Sequence, residues 1–256
     1  MAAGHAGIAG LHHAGDSAVH RLPAEAKVAA TVLFVFAVVA TPRTAVWAFT
    51  ADAALIAGVA CLAHLPARYV LRRLRIELPF LAFAVFLPFV GPSPRSDLLG
   101  MSLSHSGLWA AWNIVAKGTL GVLAAIVLAA TTPVAELLGG LERLHVPRVL
   151  VAITGFMVRY LDVIAGEAGR MRIARLSRGY DPRWIWQARG VAACAGSLFV
   201  RSYERGERVH LAMLSRGYTG AMPVLHDHRP ARGSWAAAVL LPASAAAFAA
   251  LAWTAA

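Results

Sequence analysis

Five apolar segments, separated by loops of unequal charge, set the limits on what this chain can become. A helix needs roughly 20 apolar residues to cross the hydrocarbon core of a bilayer. Inside that core every backbone N–H and C=O must be paired within the segment, which favours helices over open sheets. Residues 108–130 meet the requirement most cleanly, broken only by Lys117, and residues 45–65 are broken only by Asp52. Residues 235–253 supply another span. Residues 28–41 and 76–90 are shorter; the latter contain Pro79 and Pro88 and end at Gly91, Pro92 and Pro94. With 59% hydrophobic and only 14% charged residues, the chain lies outside the range of soluble domains. The expected fold class is all-α: a polytopic membrane helix bundle of about five spans, with a cytoplasmic module of long amphipathic helices.

Loop charge orients the bundle. Arg68, Arg72, Arg73 and Arg75 lie between the second and third spans, against Arg43 alone in the first loop and Arg95 with Asp97 in the third. Cytoplasmic loops collect Lys and Arg, so the second loop faces the cytoplasm, and with it the N-terminus and the stretch after the fourth span. The expected organisation is a cytoplasmic tail over 1–26, four spans within 27–131, a cytoplasmic module over 132–232 and a last span over 233–256. The first 25 residues carry His5, His12, His13 and His20 without an apolar core, which argues against a cleavable secretory signal. The expected location is the cell inner (cytoplasmic) membrane, crossed several times.

The module carries most of the charge. Residues 142–232 hold fifteen arginines and seven acidic residues, against a net charge of +11 for the chain. Pro133 and Pro147 stand at helix starts, where a missing N–H does no harm. Val149, Ile153, Phe156, Met157, Tyr160, Leu161 and Ile164 follow the spacing of one helix face, predicting a helix that stops at Gly179, with Pro182 beyond. A second helix is predicted from about Trp184 to Arg216, with Ala192, Ala195, Leu198, Phe199, Tyr203 and Met213 as its stripe and Gly217 as its stop. Glu204 and Arg208 stand four apart in the favourable order.

Both predicted helices end in the same five residues. Leu-Ser-Arg-Gly-Tyr occupies 176–180 and again 214–218, 38 positions apart, with Ala174 and Ala212 two residues before each copy. A cation suits the carbonyl end of a helix, glycine permits the left-handed residue that closes it, and serine is small enough to let another surface approach. Arg178 and Arg216 would then project from narrow tips, free to pair with carboxylates in forked fashion. One copy alone would be an ordinary helix end with a dipole-matching arginine. An identical pair favours a two-fold partner that takes both.

On these residues the chain resembles the transmembrane T component of energy-coupling factor transporters, whose signature is a pair of Ala-Arg-Gly-like triplets in two cytoplasmic coupling helices. Ser177-Arg178-Gly179 and Ser215-Arg216-Gly217 match that pair, with serine in place of the commoner alanine. Ser17, the run His20-Arg21-Leu22-Pro23, Lys27 and Thr41-Pro42-Arg43 are similar to the cobalt-type CbiQ family, as are Arg159-Tyr160 and residues 204–213. The likeness covers about 17–220. It implies a non-catalytic subunit of an ATP-driven importer of cobalt or nickel. Its implied partners are a cytosolic pair of ATP-binding-cassette ATPases that hold ATP and Mg, a membrane subunit that binds the metal, and sometimes a small accessory membrane subunit. Arg178 and Arg216, flanked by Ser177, Gly179, Ser215 and Gly217 and preceded by Ala174 and Ala212, would each seat in a groove of one ATPase.

Other residues add little chemistry. Lys27 and Lys117 are the only lysines, and neither stands in a phosphate-binding Gly-rich loop. No catalytic serine, cysteine or carboxylate arrangement emerges, so an enzyme is not expected. The histidines of the tail, with His226 and His228, read as solvated rather than metal-binding; no metal ligand set and no cofactor are expected in this chain. Cys61 and Cys194 read as small core residues. Asp52 and Lys117 read as polar contacts between helices, and Trp184, Trp186, Trp235 and Trp253 as interfacial anchors in the lipid bilayer. Nucleic acid is not an expected partner. The alternative reading is a non-transport membrane scaffold whose basic helices dock an acidic cytosolic protein or anionic lipid.

Overall fold

The computed structural model describes residues 13, 15–90, 95–98, 101–182, 184–220 and 232–254. It is overwhelmingly helical, and the described residues divide into two compact units: one within Glu142–His228, and one within Leu11–Leu141 together with Arg229–Ala256.

The second of these units holds the five expected apolar segments. The five expected segments form α1 (Ala24–Ala40), α2 (Val46–Leu62), α4 (Leu78–Val90), α5 (His105–Thr131) and α9 (Arg232–Thr254). The arginine-bearing segment after α2 is not an open loop. It winds into a short helix, α3 (Ala67–Leu74), continued by a 3-10 turn over Arg75–Glu77, with the Arg73 guanidinium 4.5 Å from the Tyr69 ring centroid. A helix α6 (Val134–Arg143) follows Pro133. The all-α expectation holds except for one short hairpin before α5. There β1 (Arg95–Leu98) pairs antiparallel with β2 (Met101–Ser104), Arg95 opposite Ser104 and Leu98 opposite Met101. Ser104 then caps α5, its Oγ accepting from the Gly107 N–H at 3.3 Å.

Small residues let the helices approach, the usual basis of packing where lipid and core are equally apolar. Ala26 and Ala30 of α1 meet Ala238 of α9, and Ala45 and Ala48 meet Ala252. The larger core joins Phe34 and Val38, Phe49 and Ile56, Ala116 and Leu120, and Ala245, drawn from α1, α2, α5 and α9. At Gly107 a Cβ would stand 2.6 Å from the Leu87 carbonyl oxygen, so only glycine allows α5 to press against the backbone of α4. The outer surface carries Phe36, Phe80, Phe83, Phe86 and Leu240, all exposed; in a bilayer these side chains face lipid, where exposure carries no penalty.

Among the described residues, three helices are long and apolar enough to cross a membrane: α5, α9 from Ser234, and Arg148–Ser177 in the other unit. Helices α1 and α2 have 17 residues each and α4 has 13. At 1.5 Å per residue α1 and α2 reach about 26 Å, the short end of a crossing. The chain is a multi-pass membrane protein.

The polar residues of the bundle are placed as follows. Lys27 Nζ donates to the carbonyls of His20 and Thr131, both at 3.0 Å, tying the N-terminal segment to the end of α5. The His13 N–H donates to the Ala130 carbonyl at 2.9 Å, and His20 Nε2 lies 3.0 Å from the His13 carbonyl oxygen. The segment of His13 and His20 is therefore docked rather than solvated, because the last carbonyls of α5, on the buried Ala130 and Thr131, have no partner within the helix and need donors. Lys117 Nζ donates to the Val39 carbonyl at 2.7 Å, a contact between α5 and α1 as expected. Asp52 is not such a contact: it is fully buried and both carboxylate oxygens lack partners. The thiols also depart from expectation, Cys61 being exposed and Cys194 half-buried, both free. His5, His12, His226 and His228 lie outside the described residues.

The other unit is built on α7 (Arg148–Ser177) and α8 (Arg189–Leu214), joined by a segment with a 3-10 turn over Ile185–Ala188. Within α7, residues 149–166 carry only Arg159 and Asp162, whereas from Glu167 onward the helix is strongly charged. The predicted apolar stripes do not each form one buried face. Phe156, Tyr160 and Ile164 turn towards α8, while Val149, Ile153, Met157 and Leu161 remain exposed. On α8, Met213 turns towards α7, and Phe199 and Tyr203 are exposed.

Candidate functional site

The repeated Leu-Ser-Arg-Gly-Tyr builds the same hydrogen-bonded helix closure twice. At the end of α7 the Gly179 N–H donates to the Leu176 carbonyl at 2.9 Å and the Tyr180 N–H to the Arg175 carbonyl at 3.1 Å. At the end of α8 the Gly217 N–H donates to the Leu214 carbonyl and the Tyr218 N–H to the Met213 carbonyl, both at 3.0 Å. This pair of bonds is the Schellman closure, and it needs a left-handed residue. Gly179 and Gly217 supply it, with φ of +75° and +81°. The serines add a further bond: Ser177 Oγ donates to the Ala174 carbonyl at 2.9 Å and Ser215 Oγ to the Ala212 carbonyl at 3.0 Å. Each repeated residue thus has an assigned part in the ending, including the alanine that precedes it.

Arg178 and Arg216 occupy the last position before each glycine, and both are exposed, as are Ser177, Gly179, Ser215 and Gly217. Open space surrounds both glycines where a side chain would begin. Each tip therefore offers a cation, a small hydroxyl residue and bare backbone to an incoming surface. That combination suits a forked bond to a carboxylate or to a row of carbonyls.

The tyrosines that complete the repeat diverge. Tyr180 turns back on the start of α8, its hydroxyl donating to the Gln187 carbonyl. Its ring lies where a Cβ on Gly190 would stand 2.6 Å away. Tyr218 instead lines a groove of about 490 Å³ between α7 and α8, with Phe156, Tyr160, Arg205 and Met213 among its walls. Trp184 and Trp186, also in the connection, stack with ring centroids 4.9 Å apart and are exposed.

One feature of the module escapes a reading by stripes and stops. Glu167 of α7 accepts a hydrogen bond from Arg205 Nη2 of α8 at 2.8 Å and lies 3.7 Å from Arg201 Nη1. Its side chain is only 12% exposed. The hydrogen bond from Arg205 first, then the charges of Arg205, Arg201 and Arg170, hold the Glu167 carboxyl below its ordinary value against the opposing effect of desolvation. The signal that finds it in the sequence is the repeat itself, since Glu167 and Arg205 stand at the same 38-residue offset as the two tips. The expected Glu204–Arg208 pair is present but long, at 3.9 Å. Among the described residues, no three His, Cys, Asp or Glu side chains come together as a metal site.

Comparison with known proteins points the same way. The family model described as CbiQ, cobalt transport protein, matches residues 15–225. The chain is 32% identical over 168 residues to the cobalt transport protein CbiQ of Rhodobacter capsulatus, covering 65% of this chain and 66% of that one. A Methanocorpusculum labreanum chain, named as a fused cobalt transport protein CbiMQ, is 27% identical over 128 residues, 50% of this chain and 21% of its own length. The chain thus spans two thirds or less of the length of these two relatives. The energy-coupling factor transporter transmembrane protein EcfT of Thermanaerovibrio acidaminovorans is 29% identical over 223 residues, 81% of each chain. With the family match running from the docked N-terminal segment through both arginine tips, the chain belongs to the CbiQ family of cobalt transport proteins.

Proposed function

We propose that this chain is the transmembrane scaffold and coupling subunit of an ATP-driven energy-coupling factor importer of cobalt, with nickel the alternative cargo. It is a non-catalytic subunit. ATP and Mg are held by a cytosolic pair of ATP-binding-cassette ATPases, and the metal by a separate membrane subunit. A small accessory membrane subunit completes the assembly in some members. The N-terminus and the α7–α8 module face the cytoplasm.

The observation that carries this reading is the duplicated helix ending. Two exposed arginines, each fixed by the same closure beside a bare glycine, suit a partner made of two equivalent halves. Closing or opening that partner on ATP would draw on both tips and move the coupling helices α7 and α8, and the scaffold would pass that motion to the metal-binding subunit. The relative named as a fused cobalt transport protein supports physical association with another transport subunit. The loop arginines support the orientation.

Replacement of both arginines tests the reading. Arg178→Ala with Arg216→Ala should abolish ATP-driven cobalt uptake and co-purification of the ATPase pair while leaving membrane insertion intact. Lysine at both positions should restore uptake only in part, because an ammonium cannot make the forked bond. Unaltered uptake in the double alanine variant would overturn the docking role. Parallel uptake of cobalt and nickel decides the cargo.

A further inference from the structure

The two arginine tips are mounted symmetrically about a single ion-paired crossing. Contacts between α7 and α8 run in opposite senses along the two helices: Met171 Sδ lies 4.0 Å from Ser197 Oγ, and Glu167 reaches Arg201 and then Arg205. The helices are therefore antiparallel where they meet. At that meeting Glu167 binds Arg205, the residue 38 positions on, which is the offset of the repeat. Equivalent positions of the two copies thus face each other, as they must on a local two-fold axis. From Glu167 to Arg178 is 11 residues, and from Arg205 to Arg216 is also 11. At 1.5 Å per residue, each tip lies about 16 Å along its helix from the crossing, in opposite directions.

We infer that Glu167 is a positioning residue: by pinning α7 to α8 midway between the tips, it fixes the span across which Arg178 and Arg216 are presented. The inference rests on the docking function proposed above, because a fixed span matters only to a partner that takes both tips. Its chemistry is local. A single carboxylate receives two guanidinium groups from successive turns of α8, one at 2.8 Å and one at 3.7 Å, so rotation or sliding of one helix past the other breaks at least one ion pair. Arg205 also lines the groove beside Tyr218. A shift at the pin is therefore felt next to the second tip. Among the described residues, the other polar contact between α7 and α8 is the weak one of Ser197 Oγ with Met171 Sδ at 4.0 Å.

The test uses the complete transporter in membranes. Nitroxide labels at Ile173 and Leu211, exposed and 38 positions apart, report the span by pulsed electron resonance, with Cys61 and Cys194 replaced. The unaltered Glu167 background should give one narrow distance distribution. Glu167→Ala should broaden it and lower cobalt uptake per ATP hydrolysed by roughly tenfold, while the ATPase pair still co-purifies. Exchange of the charges, Glu167→Arg with Arg201→Glu and Arg205→Glu, should restore both the narrow distribution and the uptake, which a purely space-filling role would not allow. The inference is overturned if Glu167→Ala leaves the distribution and uptake unchanged, or if the charge exchange behaves like the alanine variant. Failure of the docking function looks different: Arg178→Ala with Arg216→Ala would then keep the ATPase pair and full uptake, and the distance measurement would still decide the role of Glu167.

Discussion

Each arginine tip is defined by backbone chemistry before any partner arrives. A left-handed glycine ends the helix, the preceding serine hydroxyl occupies a carbonyl one turn back, and the arginine between them has no internal acidic partner at either ending among the described ion pairs. The pair was legible in the sequence because closure of this kind needs glycine and because the same residues recur. Glu167 was less legible: one acidic residue among many arginines gives no periodic signal, and only the offset relating it to Arg205 singles it out. Asp52 was misjudged as a contact between helices, since neither pattern nor propensity shows whether a buried group finds a donor. With both oxygens unpartnered in the core, its carboxyl is a cost of about 1–3 kcal/mol. Asp52→Leu, which removes the unpartnered oxygens, should therefore raise the thermal midpoint of the detergent-solubilised protein without loss of membrane insertion. A lowered midpoint would show that Asp52 holds a partner in the membrane.

At the scale of helices, boundaries followed the punctuation of the sequence. Pro133 and Pro147 precede α6 and α7, and Gly179 and Gly217 follow α7 and α8. The start of α8 came later than expected, at Arg189, because the connection first turns back so that the Tyr180 hydroxyl reaches Gln187. The stripes on α7 and α8 were visible, but periodicity cannot tell a face that meets a neighbouring helix from one that meets lipid or a partner. The ion pair of Glu167 with Arg205 and Arg201 is the polar part of the joint between the two helices, and it carries a pH dependence. Arg205, Arg201 and Arg170 hold the Glu167 carboxyl below its ordinary value of 4.5. A carboxylate with a depressed folded value contributes stability that is complete above its unfolded value and is lost as pH falls through the folded one. The narrow separation between labels at Ile173 and Leu211 should thus persist as pH falls to about 4.5 and broaden only at more acid pH. A separation that stays narrow throughout acidification would mean that the ion pair does not hold the crossing.

The molecule as a whole combines an alanine-packed membrane bundle with a charged two-helix module. Small residues at α1–α9 crossings and exposed phenylalanines on the bundle surface are the marks of a lipid-solvated anchor. Five apolar segments were readable from composition alone, yet α1, α2 and α4 are shorter than a full span, and the N-terminal segment is tied to α5 rather than free. Those features depend on pairing between distant residues, such as Lys27 with Thr131, that no local pattern encodes. In the proposed transporter both tips are gripped by a two-part ATPase. Photoreactive residues at Ser177 and Ser215, in membranes containing the whole transporter, would reveal the grip. Illumination should then join each position to an ATPase subunit, with yields that change on ATP addition. Labelling of lipid alone from both positions, while the ATPase pair remains bound, would contradict it.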